Sequence, residues 1–162
     1  MLRRTHLVFS IFVFLILFSY LDFLNRWIFF IFLLIGTLIV DIDSRKSKLG
    51  KRWYLRPIQW FVSHRGAFHT LLFGLFLGIL VYFFNHDAGF GFFVGYFLHL
   101  FLDLFNVSGL RMFRPVSRRK ISFGIRTGGM VEDIIFVVLL LLMLCWYGRL
   151  SCISHVRAHK SL

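Results

Sequence analysis

The sequence contains few cysteines and few acidic residues. Its two cysteines, Cys145 and Cys152, provide neither a disulfide framework nor a CxxC metal-binding pattern, and they leave the redox compartment open. Asp and Glu together number seven against 19 Lys and Arg, so the formal net charge is +12. Because carboxylates are this scarce, the position of each one is informative.

Apolar residues, by contrast, dominate the chain. Hydrophobic residues make up 59% of its 162 residues, including 23 phenylalanines, and the mean hydropathy is +0.79, far above that of a soluble domain. We therefore predict an all-α fold, a polytopic membrane bundle of about five helices. Most apolar runs are shorter than the roughly 20 residues of a full span, so their ends must lie at headgroup depth or face the bundle interior. The five runs cover residues 7–21, 27–40, 68–84, 89–104 and 134–147.

The domain organisation follows from these runs. We expect a single integral-membrane domain over residues 1–148 and a short basic tail over residues 149–162. The first run follows Arg3 and Arg4, as in a signal peptide, but no small-residue cleavage site of the A-x-A kind follows near residues 19–24. We therefore interpret this run as the first membrane helix.

Basic residues concentrate in two loops. Residues 41–67 contain seven and residues 108–131 contain six, whereas the turns at 22–26 and 85–87 hold one in all. By the positive-inside rule, this asymmetry predicts that the N-terminus and both basic loops face the cytoplasm. The charges also attract anionic headgroups. Nucleic-acid binding is not favoured, because the basic runs lack the interleaved aromatics of a base-stacking surface.

On that topology, the rare polar residues fall at the predicted cytoplasmic ends of the helices. Their positions did not enter the orientation argument, so their convergence independently supports a shared site at the cytoplasmic face. The residues are His6, Asp41, Asp43, His64, His69, His99, Asp103 and Glu132.

The spacing of His99 and Asp103 suits a metal site. The two are four residues apart, which places them about 40° apart around a helix and on one face. Such a pair can chelate one ion. An aspartate flanked by Leu102 and Leu104 is costly in an apolar helix unless it is paired, which favours a functional role.

The other histidines and aspartates can lie beside His99 and Asp103 only if the backbone near them adopts a particular conformation. His64 and His69 would lie roughly 140° apart on a continuous helix, so we expect the helix to begin near Gly66 with His64 in the preceding loop. In the D-x-D pattern of Asp41 and Asp43, one carboxylate can bind metal while the other orients a ligand histidine.

The chemical types narrow the choice of ion. Imidazole combined with carboxylate oxygen suits zinc, iron or manganese, whereas magnesium and calcium prefer sites made of oxygen alone. His6 on its own would more often be a capping or interfacial residue, so its assignment as a ligand depends on the others.

Several motifs together resemble a known family. The stretches "THLVFS", "DIDSRKSKLGKR", "SHRGAFHT", "GYFLHLFLDLFNVSGLRMFRP" and "RTGGMVED" occur in the order and spacing of the LexA-binding, inner-membrane-associated hydrolases, the YdjM-like membrane-bound metal-dependent hydrolases. The resemblance covers residues 5–133, and the joint set of H, DxD, HRGxxH and HxxxD is specific. It implies a metal-dependent hydrolase of the cell's inner membrane.

A more distant resemblance concerns the same order of ligands. Early His, then Asp, then His, then HxxxD is similar to the zinc-dependent phospholipases C and related single-strand nucleases, which cleave phosphate esters with clustered zinc. Because only Glu132 follows the HxxxD before the tail, one or two ions are implied here in place of three. The ligand candidates in this resemblance are His6, Asp41 or Asp43, His69, His99 and Asp103.

We therefore expect a membrane-embedded, metal-dependent hydrolase of a phosphate ester, such as a phospholipid whose head lies at the cytoplasmic interface. The bound metal is expected to be zinc, with manganese or iron as alternatives. Arg65 and the basic loops would hold the phosphate, and Asp43 or Glu132 would accept a proton from the attacking water.

Two other classes of function stay open. The metal could be structural in a membrane regulatory or binding protein, in line with the LexA-binding name of the family. Alternatively, intramembrane polar residues could mark the path of a metal-ion transporter. Against transport, the ionisable residues cluster at one face, and the run from Leu71 to Val81 has none.

Overall fold

The computed structural model describes residues 2–21, 25–43, 69–107, 109–113, 116–117 and 119–160. These residues contain five α-helices and no strand beyond isolated bridges, which confirms the predicted all-helical architecture. Short 3-10 turns at Phe18–Tyr20 and Val40–Asp43 follow the first two helices. The helices are α1 (Arg3–Leu17), α2 (Arg26–Ile39), α3 (Leu71–Phe84), α4 (His86–Leu104) and α5 (Met130–Lys160).

Side-chain caps fix where three helices begin. The Asn25 side chain accepts hydrogen bonds from two amides in the first turn of α2, and Asn85 accepts one from Ala88 at the start of α4. Thr70 does the same for α3 by accepting from the Phe73 amide at 3.3 Å. Each cap satisfies a backbone donor that has no partner within its own helix.

The start of α3 differs from the prediction. We expected a helix from near Gly66, but α3 begins at Leu71, after Thr70 with extended backbone angles of −118° and 145°. The prediction was wrong because it weighed the glycine and the angular separation of two histidines, and not the N-cap preference of threonine. His69 therefore precedes the helix. Gly66 and His64 lie outside the described residues.

Glycines allow α2 and α4 to approach at backbone distance. A Cβ atom added at Gly91 would lie 2.3 Å from the Phe29 carbonyl oxygen, and one at Gly95 would lie 1.9 Å from the Leu33 carbonyl oxygen. These two glycines form a GxxxG pattern, which permits close helix contact where lipid supplies no hydrophobic drive for association. The packing of α2 on α4 therefore depends on the absence of side chains at these positions.

The other face of α4 packs against α3. Gly74 of α3 accommodates the fully buried ring of Tyr96, since a Cβ at Gly74 would lie 2.2 Å from that ring. Tyr96 belongs to a buried cluster with Val40, Phe92, Leu100, Leu110 and Met112. Helix α4 is thus the central element of the described bundle.

The segment between α4 and α5 folds back over one end of the bundle. Asn106 and Leu110 form isolated bridges to Ile125 and Ile121, and the Leu71 amide donates to the Met112 carbonyl at 2.9 Å. This segment therefore covers the end at which α3 begins and α4 finishes.

Helix α5 lies outside this core and packs mainly against α1. Arg4 forms an ion pair with Asp133, and the Trp146 indole donates to the Leu15 carbonyl at 3.2 Å. The helix has 31 residues and continues through 149–160, the range expected to form a tail. The division into a domain and a tail stays a prediction.

Two of the helices could cross a membrane by length and composition. They are α4 and the first 19 residues of α5. Helices α1, α2 and α3 have 15, 14 and 14 residues, and at 1.5 Å per residue they extend about 21–23 Å, less than the roughly 30 Å of hydrocarbon. At least one end of each of these helices would therefore lie within the hydrocarbon layer or at its border, where its unpaired backbone groups and polar side chains need partners from the protein.

Candidate metal centre

Four chain segments bring polar side chains to one end of the bundle. His6 comes from α1, Asp41 from the turn after α2, His69 from the residues before α3, and His99 and Asp103 from α4. Contacts among these side chains place the starts of α1 and α3 beside the ends of α2 and α4. The structure thus brings these five predicted residues together, and their role as a shared cytoplasmic site stays a prediction.

The Asp103 carboxylate lies at the centre of the group. Its Oδ1 is 3.3 Å from His6 Nε2, and its Oδ2 is 3.6 Å from His69 Nε2 and 3.5 Å from His99 Nε2. One ligand atom from each of His6, His99 and Asp103 lies within 4.8 Å of the others, so these three could hold a metal ion. We call His6, His69, His99 and Asp103 the Asp103 cluster.

Asp41 lies at the edge of this cluster. One of its oxygens is 3.9 Å from His99 Nε2, and the other accepts a hydrogen bond from Arg3 Nε at 3.0 Å. The Asp41 side chain is 22% exposed, compared with 2% for His99. Asp41 therefore joins the buried histidines to a basic residue nearer the surface.

The Asp103 cluster is buried among apolar helices. His6, His69 and His99 are all less than 9% exposed, and the Asp103 side chain is 17% exposed. The rings of His6 and His99 lie with their centroids only 4.1 Å apart. Burying several ionisable groups together is costly unless their charges are balanced, so this arrangement requires a compensating interaction.

Backbone carbonyls determine which nitrogen of two histidines carries a proton. His6 Nδ1 lies 3.0 Å from the Leu2 carbonyl oxygen, and His99 Nδ1 lies 2.7 Å from the Thr37 carbonyl oxygen. A carbonyl can only accept, so each Nδ1 must donate, and in the neutral ring each Nε2 is then an acceptor. Both Nε2 atoms point toward the carboxylate of Asp103.

Acceptor atoms therefore face one another inside the cluster. The Nε2 of His6 is buried and makes no hydrogen bond with any described residue, although a carboxylate oxygen is 3.3 Å away. Lone pairs that converge in this way are stabilised by a positive charge between them, supplied either by a metal ion or by protons. These nitrogen and oxygen atoms could therefore serve as ligands of a divalent cation. In metal sites, the histidine nitrogen that does not bind the metal usually donates to a carbonyl or carboxylate, as Nδ1 does here.

Thr37 was not predicted, yet it positions His99. Because α2 ends at Ile39, the Thr37 carbonyl is one of the last four of the helix and has no amide partner within it. The Thr37 hydroxyl contacts Ser10 Oγ at 2.9 Å and the Gly95 carbonyl at 3.2 Å. A lone threonine in an apolar run was the sequence signal that could have identified it.

Glu132 lies at the start of α5 and is fully buried. It accepts hydrogen bonds from the Leu2 amide, from Thr5 Oγ1 at 3.0 Å and from the Gly128 amide at 2.6 Å. Leu2 in turn accepts from the ring of His6, so Glu132 fixes the segment that orients a candidate ligand. Its assignment as a proton acceptor stays a prediction, and the contacts of the described residues show a structural role.

Three predicted site residues cannot be placed. His64 and Arg65 lie outside the described residues, and Asp43 is described only as the last residue of a 3-10 turn, without its side chain. His86 lies at the opposite end of the bundle, where it is exposed and its Nδ1 lies 3.1 Å from Asp87 Oδ1.

Comparison with known proteins identifies the family. The chain matches the family described as YdjM inner membrane protein over residues 1–158, and it belongs to that family. It is also 28% identical over 118 residues to the uncharacterized protein YvsG of Bacillus subtilis strain 168, an alignment that covers 70% of this chain and 73% of that protein. No solved structure matches the chain. The predicted family is therefore confirmed, and the protein is an inner membrane protein by family.

Proposed function

We propose that this protein is a multi-pass, membrane-embedded hydrolase that uses a divalent metal to cleave a phosphate ester, with a phospholipid as the expected substrate. The observation that carries the proposal is the Asp103 cluster, in which His6, His99 and Asp103 offer ligand atoms within 4.8 Å of one another. Its position at one end of the apolar helices would place it near the headgroups of the bilayer.

Zinc is the ion we expect, because imidazole nitrogen and carboxylate oxygen are ligand types that it prefers. His6, His69, His99 and Asp103 would hold it, since the Asp103 carboxylate lies 3.3–3.6 Å from one nitrogen of each histidine. Manganese and iron accept the same ligand types.

The protein would contribute binding, orientation and charge. When bound, a divalent cation polarises a P–O bond and makes water more acidic. The Leu2 and Thr37 carbonyls hold two histidines in the tautomer that leaves Nε2 available. Asp43 or Glu132 remains the predicted acceptor of the proton from water, and Arg65 remains a predicted partner of the phosphate.

The proposal is tested by metal analysis paired with activity assays. Detergent-purified protein should contain about one or two divalent ions per chain and should hydrolyse at least one member of a panel of phospholipids and phosphodiesters. His99→Ala should lose both properties. The control His86→Ala alters an exposed histidine at the other end of the bundle and should keep both.

Two results would contradict the hydrolase function and favour another one. Tightly held metal without turnover of any phosphoester would favour a structural metal in a regulatory membrane protein. Metal uptake into proteoliposomes would favour a transporter.

The orientation is tested separately by cysteine labelling in a background that lacks Cys145 and Cys152. A cysteine at Lys120 should be shielded from an impermeant reagent in intact cells, and a cysteine at His86 should react, because the basic loops are expected in the cytoplasm. Labelling at Lys120 from outside would reverse the proposed orientation.

A further inference from the structure

Arg3 is linked to the Asp103 cluster through the carboxylate of Asp41. Its Nε donates to Asp41 Oδ2 at 3.0 Å, and Asp41 Oδ1 lies 3.9 Å from His99 Nε2. The residue is at the start of α1, three positions before His6. Asp41 thus fixes a guanidinium group at the border of the candidate metal centre.

One nitrogen of this guanidinium has no acceptor among the described residues. Arg3 Nη2 is buried, and within the described part of the chain nothing accepts a hydrogen bond from it. A buried donor left without a partner is destabilising, and in native proteins such groups usually have a partner. The Arg3 side chain as a whole is 25% exposed, so it lies at the border between the buried cluster and the surface.

The neighbouring arginine has a different environment. Arg4 forms an ion pair with Asp133, and its guanidinium carbon lies 5.1 Å from the centroid of the Phe136 ring. Its side chain is 52% exposed and turns toward α5. Two adjacent arginines of the same charge therefore face different partners, and Arg3 is the one that faces the metal ligands.

We propose that Arg3 binds a phosphate oxygen of the ligand beside the Asp103 cluster, and so is a substrate-binding residue that the sequence motifs do not include. Asp41 would orient the guanidinium through Nε and leave Nη2 for the ligand. Arginine suits this role because its planar donors match the oxygens of phosphate. The inference rests on the proposed function, since a phosphate ester is the anion that such a hydrolase would hold.

The test measures phosphate binding by zinc-loaded protein in detergent. Inorganic phosphate is titrated calorimetrically into the unchanged protein, Arg3→Gln and Arg4→Gln, and the zinc content of each is determined. Arg3→Gln should weaken phosphate binding by at least about ten-fold, the effect of losing a hydrogen bond to a charged group. Its zinc content should be unchanged. Arg4→Gln removes the same charge one residue away and should bind phosphate like the unchanged protein.

A second arm replaces inorganic phosphate by a short-chain phosphatidic acid. Tighter binding of the lipid would identify a headgroup as the source of the phosphate, whereas equal binding would identify the phosphate group alone. A loss that depends on Arg3 in either arm supports the proposal. Equal losses in Arg3→Gln and Arg4→Gln, or no binding by the unchanged protein in either arm, would overturn it.

Arg3→Lys covers the case in which Arg3→Gln does not fold. Lysine keeps the charge and the partner for Asp41 but lacks the planar fork, so phosphate binding should still weaken while zinc is retained. Loss of zinc from either variant would instead show that Arg3 acts only by holding Asp41, and the proposal would fail. Phosphate binding that depends on Arg3 without turnover would overturn the hydrolase function and leave this inference standing.

Discussion

Helices α4 and α5 both have the length and composition to cross a membrane, yet they occupy opposite environments. The spanning window of α4 has a mean hydropathy of 1.2 and is 56% buried within the protein, whereas that of α5 has a mean hydropathy of 2.2 and is 11% buried. The less apolar helix is thus the one inside the bundle.

The difference has a physical cause. Glycines and polar side chains lower the hydropathy of α4, and each of them needs a protein neighbour. Gly95 needs the α2 backbone against it, and His99 and Asp103 need partners for their charges and hydrogen bonds. The middle of α5 carries Val137, Leu141 and Leu144, which are apolar and exposed and are therefore compatible with lipid. Polar content therefore marks the interior of this protein, the reverse of a soluble domain.

The largest effect is expected from removing one charge in α4. Asp103→Asn keeps the shape of the side chain but removes the negative charge that balances a divalent ion. The affinity of the protein for the metal should therefore decrease at least about 100-fold. Asp133→Asn in α5 is the matched control and should leave metal unchanged, because Asp133 pairs with Arg4 at an exposed position. Metal analysis after dialysis checks both. Full metal content in Asp103→Asn would exclude Asp103 as a ligand.

The second effect compares one leucine in each helix. Leu100 of α4 is fully buried and Leu141 of α5 is 56% exposed. Leu100→Ala should reduce the free energy of unfolding by about 2–5 kcal/mol because it leaves a cavity. Leu141→Ala should change it by less than about 0.5 kcal/mol. Unfolding in mixed detergent micelles measures both, and equal losses would contradict the assignment of α5 to the periphery.

The third effect compares one glycine in each helix. A Cβ at Gly95 would lie 1.9 Å from the Leu33 carbonyl oxygen, whereas no described residue lies within 4 Å of a Cβ at Gly148. Gly95→Ala should therefore destabilise the protein by about 1–3 kcal/mol through overpacking. Gly148→Ala should stabilise it by up to about 1 kcal/mol through helix propensity. The same unfolding assay applies, and a stabilising Gly95→Ala would disprove the close contact of α2 with α4.

The smallest effect concerns Glu132, the buried carboxylate at the start of α5. Glu132→Gln introduces an amide donor where the Leu2 and Gly128 amides both donate, so it should cost about 1 kcal/mol of stability. Metal affinity should fall only a few-fold, because His6 is oriented indirectly. Titration with zinc and a competing chelator measures this. A loss as large as that of Asp103→Asn would place Glu132 in the metal site itself.

Much of the candidate site could be predicted because its residues are chemically conspicuous. A carboxylate such as Asp103 in an apolar helix is rarely tolerated without a partner, and its i, i+4 relation to His99 follows from helix geometry alone. The alternation of helices then places His6 and His69 at the same end. The start of α3 was misplaced because a cap residue, Thr70, outweighed the glycine that drew attention.

Other parts of the site left little trace in the sequence. The Thr37 carbonyl that holds His99 is a backbone group, and backbone groups are the same at every residue. Arg3 and Arg4 are the same residue type at adjacent positions, so the sequence does not distinguish them. The packing of α1 between α2 and α5 directs Arg3 toward Asp41 and Arg4 toward Asp133.

The sequence by itself indicated a helical membrane protein and the residue types of the candidate site, because hydropathy, periodicity and residue chemistry are local properties. The tertiary structure alone decided which helix is central, which nitrogen of each histidine faces the cluster and which arginine lies beside it. Those features depend on distances between segments far apart in the chain, and packing sets such distances, as at Gly91 and Gly95, where α2 and α4 approach closely.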